Sequence, residues 1–412
     1  MGGVSMRVKR ISKELFNDFS INHKYGSYYQ TSQYGDLMKT IGYDSIYIGI
    51  YDENKLIGAS LIIIKNIFFK FNYGYAPRGF LIDYEYETIL KDIILEIKEY
   101  FRKTSIIMLK IDPPIGEKSA TDRLIECGFT HYGYNNNFKT FKPRWNMVMN
   151  IDLINKEELF KGFNKSVKNK IRTSERKGVS IYKGNEDQVH MLYSFLKKQR
   201  VTKMKYYEDF YDIFAKSKML DIYFAKIDTN KYLNHLRKLY LNEVSKSEMY
   251  GEKILANLNN NAAYIDKKIL TDRLVSSYKK ELMEATAMVR RFPEGINIGG
   301  TIIVKYKKNI FFSIDGINEK YKKFYPNHLM KWKIIEEYID KGYKYVDLSG
   351  ITGNFDKKSK NYGLYEFKKG FNSKIVEYIG EFSIITNKHK YFWFNQILKF
   401  KNLFRFDDDL EY

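Results

Sequence analysis

The dodecamer NYGLYEFKKGFN (361–372) sets two adjacent lysines, Lys368 and Lys369, among Tyr362, Tyr365, Phe367 and Phe371. Two readings compete. In one, an edge strand carries a solvated lysine pair. In the other, one ammonium points into a cleft and holds a developing negative charge. Asp112 supplies a carboxylate that could act as a base or fix a substrate amine: in LKIDPP two prolines stop a strand and leave the acid at its end. Asp347, in YVDLSG, has a similar position, and there a cap on the following loop is the simpler expectation. In KGFNKSVKNKIRTSERKG (161–178), Lys161, Lys165, Lys168, Arg172 and Arg176 recur at helical spacing opposite Phe163, Val167 and Ile171. Such a stripe can neutralise phosphates without reading bases, or it can be an ordinary solvated face. Near the C-terminus, KHKYFWFNQILKFKNLFRF (388–406) aligns Trp393, Ile397, Phe400 and Phe404 beside Lys388, Lys390, Lys399, Lys401 and Arg405. That helix either rests on an anionic membrane surface or packs on its own domain.

The elements that must position these groups belong to a chain of 412 residues, long enough for two domains with full cores. Its 44% apolar and 17% aromatic content is that of a globular protein. The single cysteine, Cys127, excludes an intrachain disulfide and a Cys-built zinc site, and reads as a buried apolar residue. The six histidines show no HExxH-like spacing, so no catalytic metal is expected. A net charge of +21, from 70 basic and 49 acidic side chains, favours polyanionic partners. No uninterrupted apolar run reaches membrane-spanning length, and MGGVSMRVKR lacks a signal core, which places the expected location in the cytoplasm.

An internal repeat organises the chain. LIGASLIII (56–64) and NIGGTIIV (297–304) share Ile-Gly, a small residue, Ser or Thr, and a β-branched run. Each lies in an expected antiparallel hairpin, SIYIGIY with 56–64 in the first copy and 297–304 with IFFSIDG in the second. Each hairpin is followed by a helix, 88–103 or 327–340, and a buried strand, 105–112 or 343–349. The order predicts a duplicated α+β unit with mixed sheets. Between the copies, 231–256 and 264–290 predict two long antiparallel helices. Their seams are Leu233, Leu236, Tyr240 and Val244, and Leu274, Tyr278, Leu282, Ala285 and Met288, with an Asn-rich turn at 257–264. At about 1.5 Å per residue, an arm of about 39 Å would project from the second copy.

The chain resembles the FemA/FemB/FemX/MurM peptidoglycan-bridge aminoacyltransferases. The resemblance runs in order through YYQTSQYGDLMK (28–39), YGYAPRGFLIDY (73–84), MLKIDPP (108–114), FKPRWNMVMNID (141–152), SVKNKIRTSERKGV (166–179), DGINEKYKKFYPNHLMKW (315–332), YVDLSGITG (345–353) and LYEFKKGFN (364–372). It implies two GNAT-like domains, residues 1–150 completed by 373–412, and residues 151–372 with 231–290 as the inserted arm. It also implies transfer of an amino acid from its tRNA ester to the stem-peptide amine of a peptidoglycan precursor, lipid II or the UDP-MurNAc-pentapeptide. Aminoacyl-tRNA is then a co-substrate, and no cofactor is expected. The family's Phe-Lys pair maps onto Phe367 and Lys368, its strand-end aspartate onto Asp112, and its phosphate-gripping lysine onto Lys39. Tyr365, beside the pair, joins the substrate-binding candidates, and the cations of 161–178 become the RNA-binding ones. Its Arg-x-x-x-Tyr precursor contact has no clear counterpart in QRVTKMKYYEDFYDIF (199–214), which leaves the acceptor open. Work on such precursors would place the enzyme at, or peripherally on, the inner membrane face.

The implied chemistry suits these residue types. An ester donor is already activated, so neither a covalent intermediate nor a metal is needed. The attacking amine, with a pKa of about 10.4, must lose its proton, and the oxyanion then formed needs a cation or hydrogen-bond donor. Two other readings remain: an acyl-CoA N-acyltransferase, although no clean Arg/Gln-x-x-Gly-x-Gly/Ala pyrophosphate loop is present, and a non-enzymatic basic module for RNA or membrane.

Overall fold

The repeated Ile-Gly pair marks one structural event twice, a β-bulge in the third strand of a seven-stranded sheet. The computed structural model describes residues 6–68, 71–138, 141–196, 203–256 and 262–403, the side chains of 398–403 excepted. In chain order the first half contains β1 (Met6–Arg10), α1 (Lys13–Asn22), α2 (Ser32–Thr40), β2 (Asp44–Asp52), β3 (Lys55–Phe68), β4 (Phe71–Ala76), α3 (Glu87–Arg102), β5 (Ile106–Ile111), α4 (Ser119–Glu126) and β6 (Thr130–His131). The second contains β7 (Trp145–Asn150), α5 (Lys156–Gly162), α6 (Lys165–Arg176), β8 (Val179–Lys183), α7 (Val189–Leu196), α8 (Met204–Lys216), β9 (Leu220–Ile227), α9 (Thr229–Ala256), α10 (Ala262–Arg291), β10 (Ile296–Tyr306), β11 (Asn309–Ile317), α11 (Pro326–Asp340), β12 (Tyr345–Ile351), α12 (Tyr362–Lys369) and β13 (Lys374–Glu377). The chain then closes with β14 (Phe382–Ile385) and α13 (Lys388–Leu403).

One sheet has the order β1-β2-β3-β4-β5-β14-β6 and the other β8-β9-β10-β11-β12-β7-β13. Strand directions match position by position: all neighbours are antiparallel except β4–β5 and β11–β12, which the crossover helices α3 and α11 make parallel. The α+β expectation of two related mixed sheets therefore holds. Between β2 and β3 the register jumps from Ile50↔Gly58 to Tyr51↔Leu56, leaving Ile57 extra. Between β9 and β10 it jumps from Lys226↔Asn297 to Ala225↔Gly299, leaving Ile298 extra. The glycine beside each bulge sits against its surroundings: a Cβ on Gly58 would meet Ile82 Cγ2 at 2.7 Å.

This register corrects how the copies were aligned. The hairpin equivalent to β2–β3 is β9–β10, not β10–β11, and the counterpart of β11 is β4, a strand the sequence reading passed over. The arm α9–α10 therefore replaces a hairpin turn: β9 and β10 are joined by helices of 28 and 30 residues where the first half has only Glu53 and Asn54. Tyr232, Leu233, Leu236 and Ala285 are buried in its seam, but Leu274 is 39% exposed and Thr271 takes the buried position on that turn. Of the expected Asn-rich turn, 257–261 lies outside the described residues.

One strand crosses between the halves: β14, which follows the second half in the chain, enters the first sheet between β5 and β6, the place that β7 holds in the second between β12 and β13. Trp145–Asn150 and Lys374–Glu377, placed with the first domain by the boundaries expected above, pair with each other in the second sheet. A shared core joins the halves: Tyr28, Tyr34, Leu61 and Ile63 pack in one cluster with Phe210, Phe214, Phe224 and Val304. Ser20 Oγ and Tyr306 Oη, 2.7 Å apart, add a buried polar tie.

Three smaller expectations are corrected. The basic stretch is two helices, because Asn164 caps α6 with its side chain on the Val167 amide, so Lys161 stands on α5. Cys127 is half-buried at the margin of the first core rather than fully buried. On α13 the buried residue is Phe394, edge-on to Phe71 and Tyr73, while Trp393 is 63% exposed. The side chains of Phe400 and Phe404 lie outside those described. No helix among the described residues is long and apolar enough to cross a membrane.

Candidate active site

Lys368 is held by a junction of three elements. It lies on the last turn of α12, a helix rather than the edge strand that one reading allowed. The residue after that helix, Gly370, sits on the start of α6: its carbonyl accepts from the Asn164 amide at 2.9 Å, and a Cβ there would meet Val167 Cγ2 at 2.6 Å. This docking turns the Lys368 side chain inward, 6% exposed, where Nζ donates to the Gly350 carbonyl at 2.7 Å. That carbonyl is at the register break between β12 and β7. Burial pulls the Lys368 ammonium down to about 8, with the positive charge of Lys331 adding to the effect and Asp315 and Asp347 opposing it. Lys369, one residue on, is exposed with its Nζ 5.2 Å from the Tyr365 ring.

The acids around Lys368 have their own partners. Asp315 on β11 accepts from Lys331 at 2.5 and 2.6 Å and from Thr301 Oγ1 at 2.6 Å. Lys331 is buried over the Phe312 ring at 3.8 Å, whereas the Asp315 side chain stays 32% exposed, so the pair opens on its carboxylate side. Burial pushes the Asp315 carboxyl up, but Lys331 overrides it and the net direction is down. Asp347 lies inside β12 rather than at its end, accepting from Asn146 Nδ2 at 2.8 Å and from the Ser349 amide at 2.6 Å. Ser349 is itself inside β12, so this bond is made within the strand and Asp347 is not the cap on the following loop that was expected. Burial raises its pKa, against the pull of Lys368 and Arg78.

In the first half Asp112 follows β5 and is 2% exposed. Its Oδ1 accepts from the Arg78 amide at 2.7 Å and from Tyr75 Oη at 2.9 Å; its Oδ2, 3.5 Å from Arg78 Nη1, makes no hydrogen bond among the described residues. Burial raises the Asp112 carboxyl, with Arg78 as the main opposing charge. Arg78 also donates to the Pro143 carbonyl at 2.6 Å and lies 4.6 Å from the Tyr378 ring. Tyr378, pushed up to about 12 chiefly by burial, feels both Asp112 and Asp347. Arg78 thus links the strand-end acid of the first half to Tyr378, which follows β13.

The other candidates are placed as follows. Phe367 is half-buried, its ring 4.9 Å from His328 and 5.4 Å from Phe371. Tyr365 packs on Phe355 at 4.9 Å. Lys39 is exposed on the last turn of α2. Lys165, Arg172 and Arg176 are exposed on α6, and half-buried Lys168 donates to the Lys161 carbonyl at 2.9 Å. An open groove of about 580 Å³ runs along a neighbouring face of α6, lined by Lys165, Lys170, Lys177 and Tyr325. Sequence reading missed Arg78, Tyr378 and the Asp315–Lys331 pair. A lone arginine between Pro77 and Gly79 in an aromatic run was the one available signal.

Two mixed sheets of matching strand directions, each with one parallel strand pair, make two GNAT-like domains. A crystal structure of FemX, 20% identical, matches with a TM-score of 0.73 over 94% of this chain and 99% of that one. The FemAB family model matches residues 11–399, and the chain belongs to that family of aminoacyltransferases, which build peptidoglycan bridges. Similar proteins include a lipid II:glycine glycyltransferase of Staphylococcus haemolyticus, 23% identical over 95% of this chain and 96% of its own. Another is the aminoacyltransferase FemB of Staphylococcus epidermidis, 24% identical over 96% and 99%.

Proposed function

We propose that this chain transfers an amino acid from aminoacyl-tRNA to the stem-peptide amine of a peptidoglycan precursor, lipid II or its UDP-linked form. The observation that carries the reading is Lys368: a buried ammonium hydrogen-bonded to the Gly350 carbonyl, at the position of the Phe-Lys pair that the resemblance marks, in a chain of the FemAB family. The acceptor nitrogen attacks the ester carbonyl, and Lys368 stabilises the oxyanion. Collapse breaks the bond to the ribose oxygen, and the proton lost by the amine ends on that oxygen. Asp112, its carboxyl raised by burial, orients the incoming amine and relays its proton. Phe367 and Tyr365 wall the acyl group, and Lys39 grips precursor phosphate. Lys165, Lys168, Arg172 and Arg176 on α6, with Lys161 on α5, neutralise tRNA phosphates. The tRNA ester brings the activation, so no cofactor takes part, and the reaction runs at the cytoplasmic face of the membrane.

Incubating the protein with a panel of charged tRNAs and either precursor, each amino acid labelled, tests this. Label in the precursor from at least one tRNA is expected. Binding of tRNA and precursor without transfer would refute the reading.

A further inference from the structure

The connection between β6 and β7 crosses from the first sheet to the second, and three of its residues lie over the Asp112 site. Phe141 stacks on Tyr75 with ring centroids 4.5 Å apart, and the Pro143 carbonyl accepts from Arg78. Between them Lys142 turns into a cluster of tyrosines. Its Nζ donates to Tyr34 Oη at 2.9 Å and lies 4.1 Å from the Tyr29 ring and 5.2 Å from the Tyr34 ring. The Tyr29 π face and the Tyr34 phenolic oxygen are the parts of an ammonium cage.

The cage is built into the fold. Tyr29 and Tyr34 meet edge to face at 85°, 5.2 Å apart, and Tyr28 backs Tyr29 at 4.0 Å. Thr31 locks the turn that presents them: its Oγ1 donates to the Tyr28 carbonyl at 2.7 Å and accepts from the Tyr34 amide at 3.2 Å. Tyr28 is braced from the other half by Phe311 at 5.0 Å. Lys142, by contrast, comes from a connection between strands. Its charge is one that Asp112 feels, and Asp112 in turn is felt by Tyr34. The caged ammonium is therefore a neighbour of the carboxylate assigned to the acceptor amine.

We propose that the Tyr29–Tyr34 cage is a primary-ammonium site that Lys142 fills in the free protein and that the acceptor amine takes over when substrate binds. This rests on the proposed function for the identity of the acceptor, but the cage itself does not. The exchange swaps one ammonium for another, so the charge beside Asp112 and Arg78 is unchanged and no buried group is left uncompensated. The stem that Lys142 threads into the cage is four methylenes long, so an unbranched alkylammonium of lysine's length fits by construction. An amine carrying a carboxylate on its own carbon would set that carboxylate against Asp112 and the Tyr29 π face.

The test is titration of Nα-acetyl-lysine amide into the full chain, followed by calorimetry, for wild type, Lys142→Met and Lys142→Met/Tyr29→Leu. Lys142→Met keeps the stem and removes the competing ammonium; Lys142→Gln serves if the Met variant does not fold. A plug filled about nine-tenths of the time predicts probe binding about tenfold tighter in Lys142→Met, and loss of that gain in the double variant. The KM for precursor should fall by the same factor, with the KM for charged tRNA unmoved. Probe binding no tighter than wild type, or a raised precursor KM, overturns the inference and makes Lys142 a structural tie. Tighter probe binding without transfer to any precursor leaves the cage standing and rejects the proposed function instead.

Discussion

Replacing Lys368 with Met should make the protein more stable and far less active. In the folded chain the Lys368 ammonium is pulled from 10.5 to about 8 by burial, so keeping it charged costs about 3 kcal/mol. Met fills similar space without that cost but leaves the Gly350 carbonyl without its donor, a loss of about 1–3 kcal/mol. The net expectation at pH 7 is a gain of about 1 kcal/mol. The folded pKa lies below the unfolded one, so the wild-type penalty is full below pH 8 and fades as pH rises towards 10.5. The advantage of the variant should therefore shrink, and then reverse, over that window. Turnover should fall by about 10²–10³, the usual effect of removing one oxyanion donor. Urea unfolding of both proteins at pH 7 and pH 10, with single-turnover transfer from charged tRNA, checks both arms. Turnover within threefold of wild type, or a stability difference identical at the two pH values, would refute the assignment.

Three further outcomes follow from the same geometry. Gly370→Ala should drive a Cβ into Val167 and Asn164, lift α12 off α6, and cost about 1–3 kcal/mol with a lower kcat, read by denaturant unfolding and turnover. Asp112→Asn should leave the buried Arg78 without its counter-charge, costing about 3–5 kcal/mol, and should raise the precursor KM. Arg172→Glu/Arg176→Glu should weaken tRNA binding and flatten its salt dependence by about 0.7–0.9 in log–log slope per lost phosphate contact, measured by filter binding from low to moderate salt.

What the sequence made legible was whatever a local pattern enforces. The duplication shows because each central strand needs an Ile-Gly pair at its bulge, and the arm shows because two long seams have few other uses. β4 escaped notice because FNYGYA mixes Gly and Asn into a short strand whose identity comes from its parallel pairing with β5. The break at Asn164 was readable as an N-cap, but the even spacing of the cations on either side concealed it. Lys368 stood out because a lysine pair among aromatic rings is anomalous at close range. Arg78 with Asp112, and Asp315 with Lys331, did not, because each pair is made by strands and helices meeting in space, 34 and 16 residues apart in the chain.

The two halves show how a symmetric frame yields an asymmetric site. β5 and β12 hold the same place in their sheets, and each brings an aspartate to the central junction. In the first half that acid keeps an oxygen without a hydrogen bond among the described residues and faces an arginine. In the second, both oxygens are occupied by Asn146 and the Ser349 amide, and the cation is supplied instead by α12, which follows β12 as α4 follows β5 but ends on a buried lysine. One aspartate thus keeps an oxygen on the Arg78 side, while the other is tied within its sheet, near the Gly350 carbonyl that holds Lys368. The two halves stay tied because β14, which follows the second half in the chain, is a strand of the first sheet, so they cannot separate without unpairing it from β5 and β6.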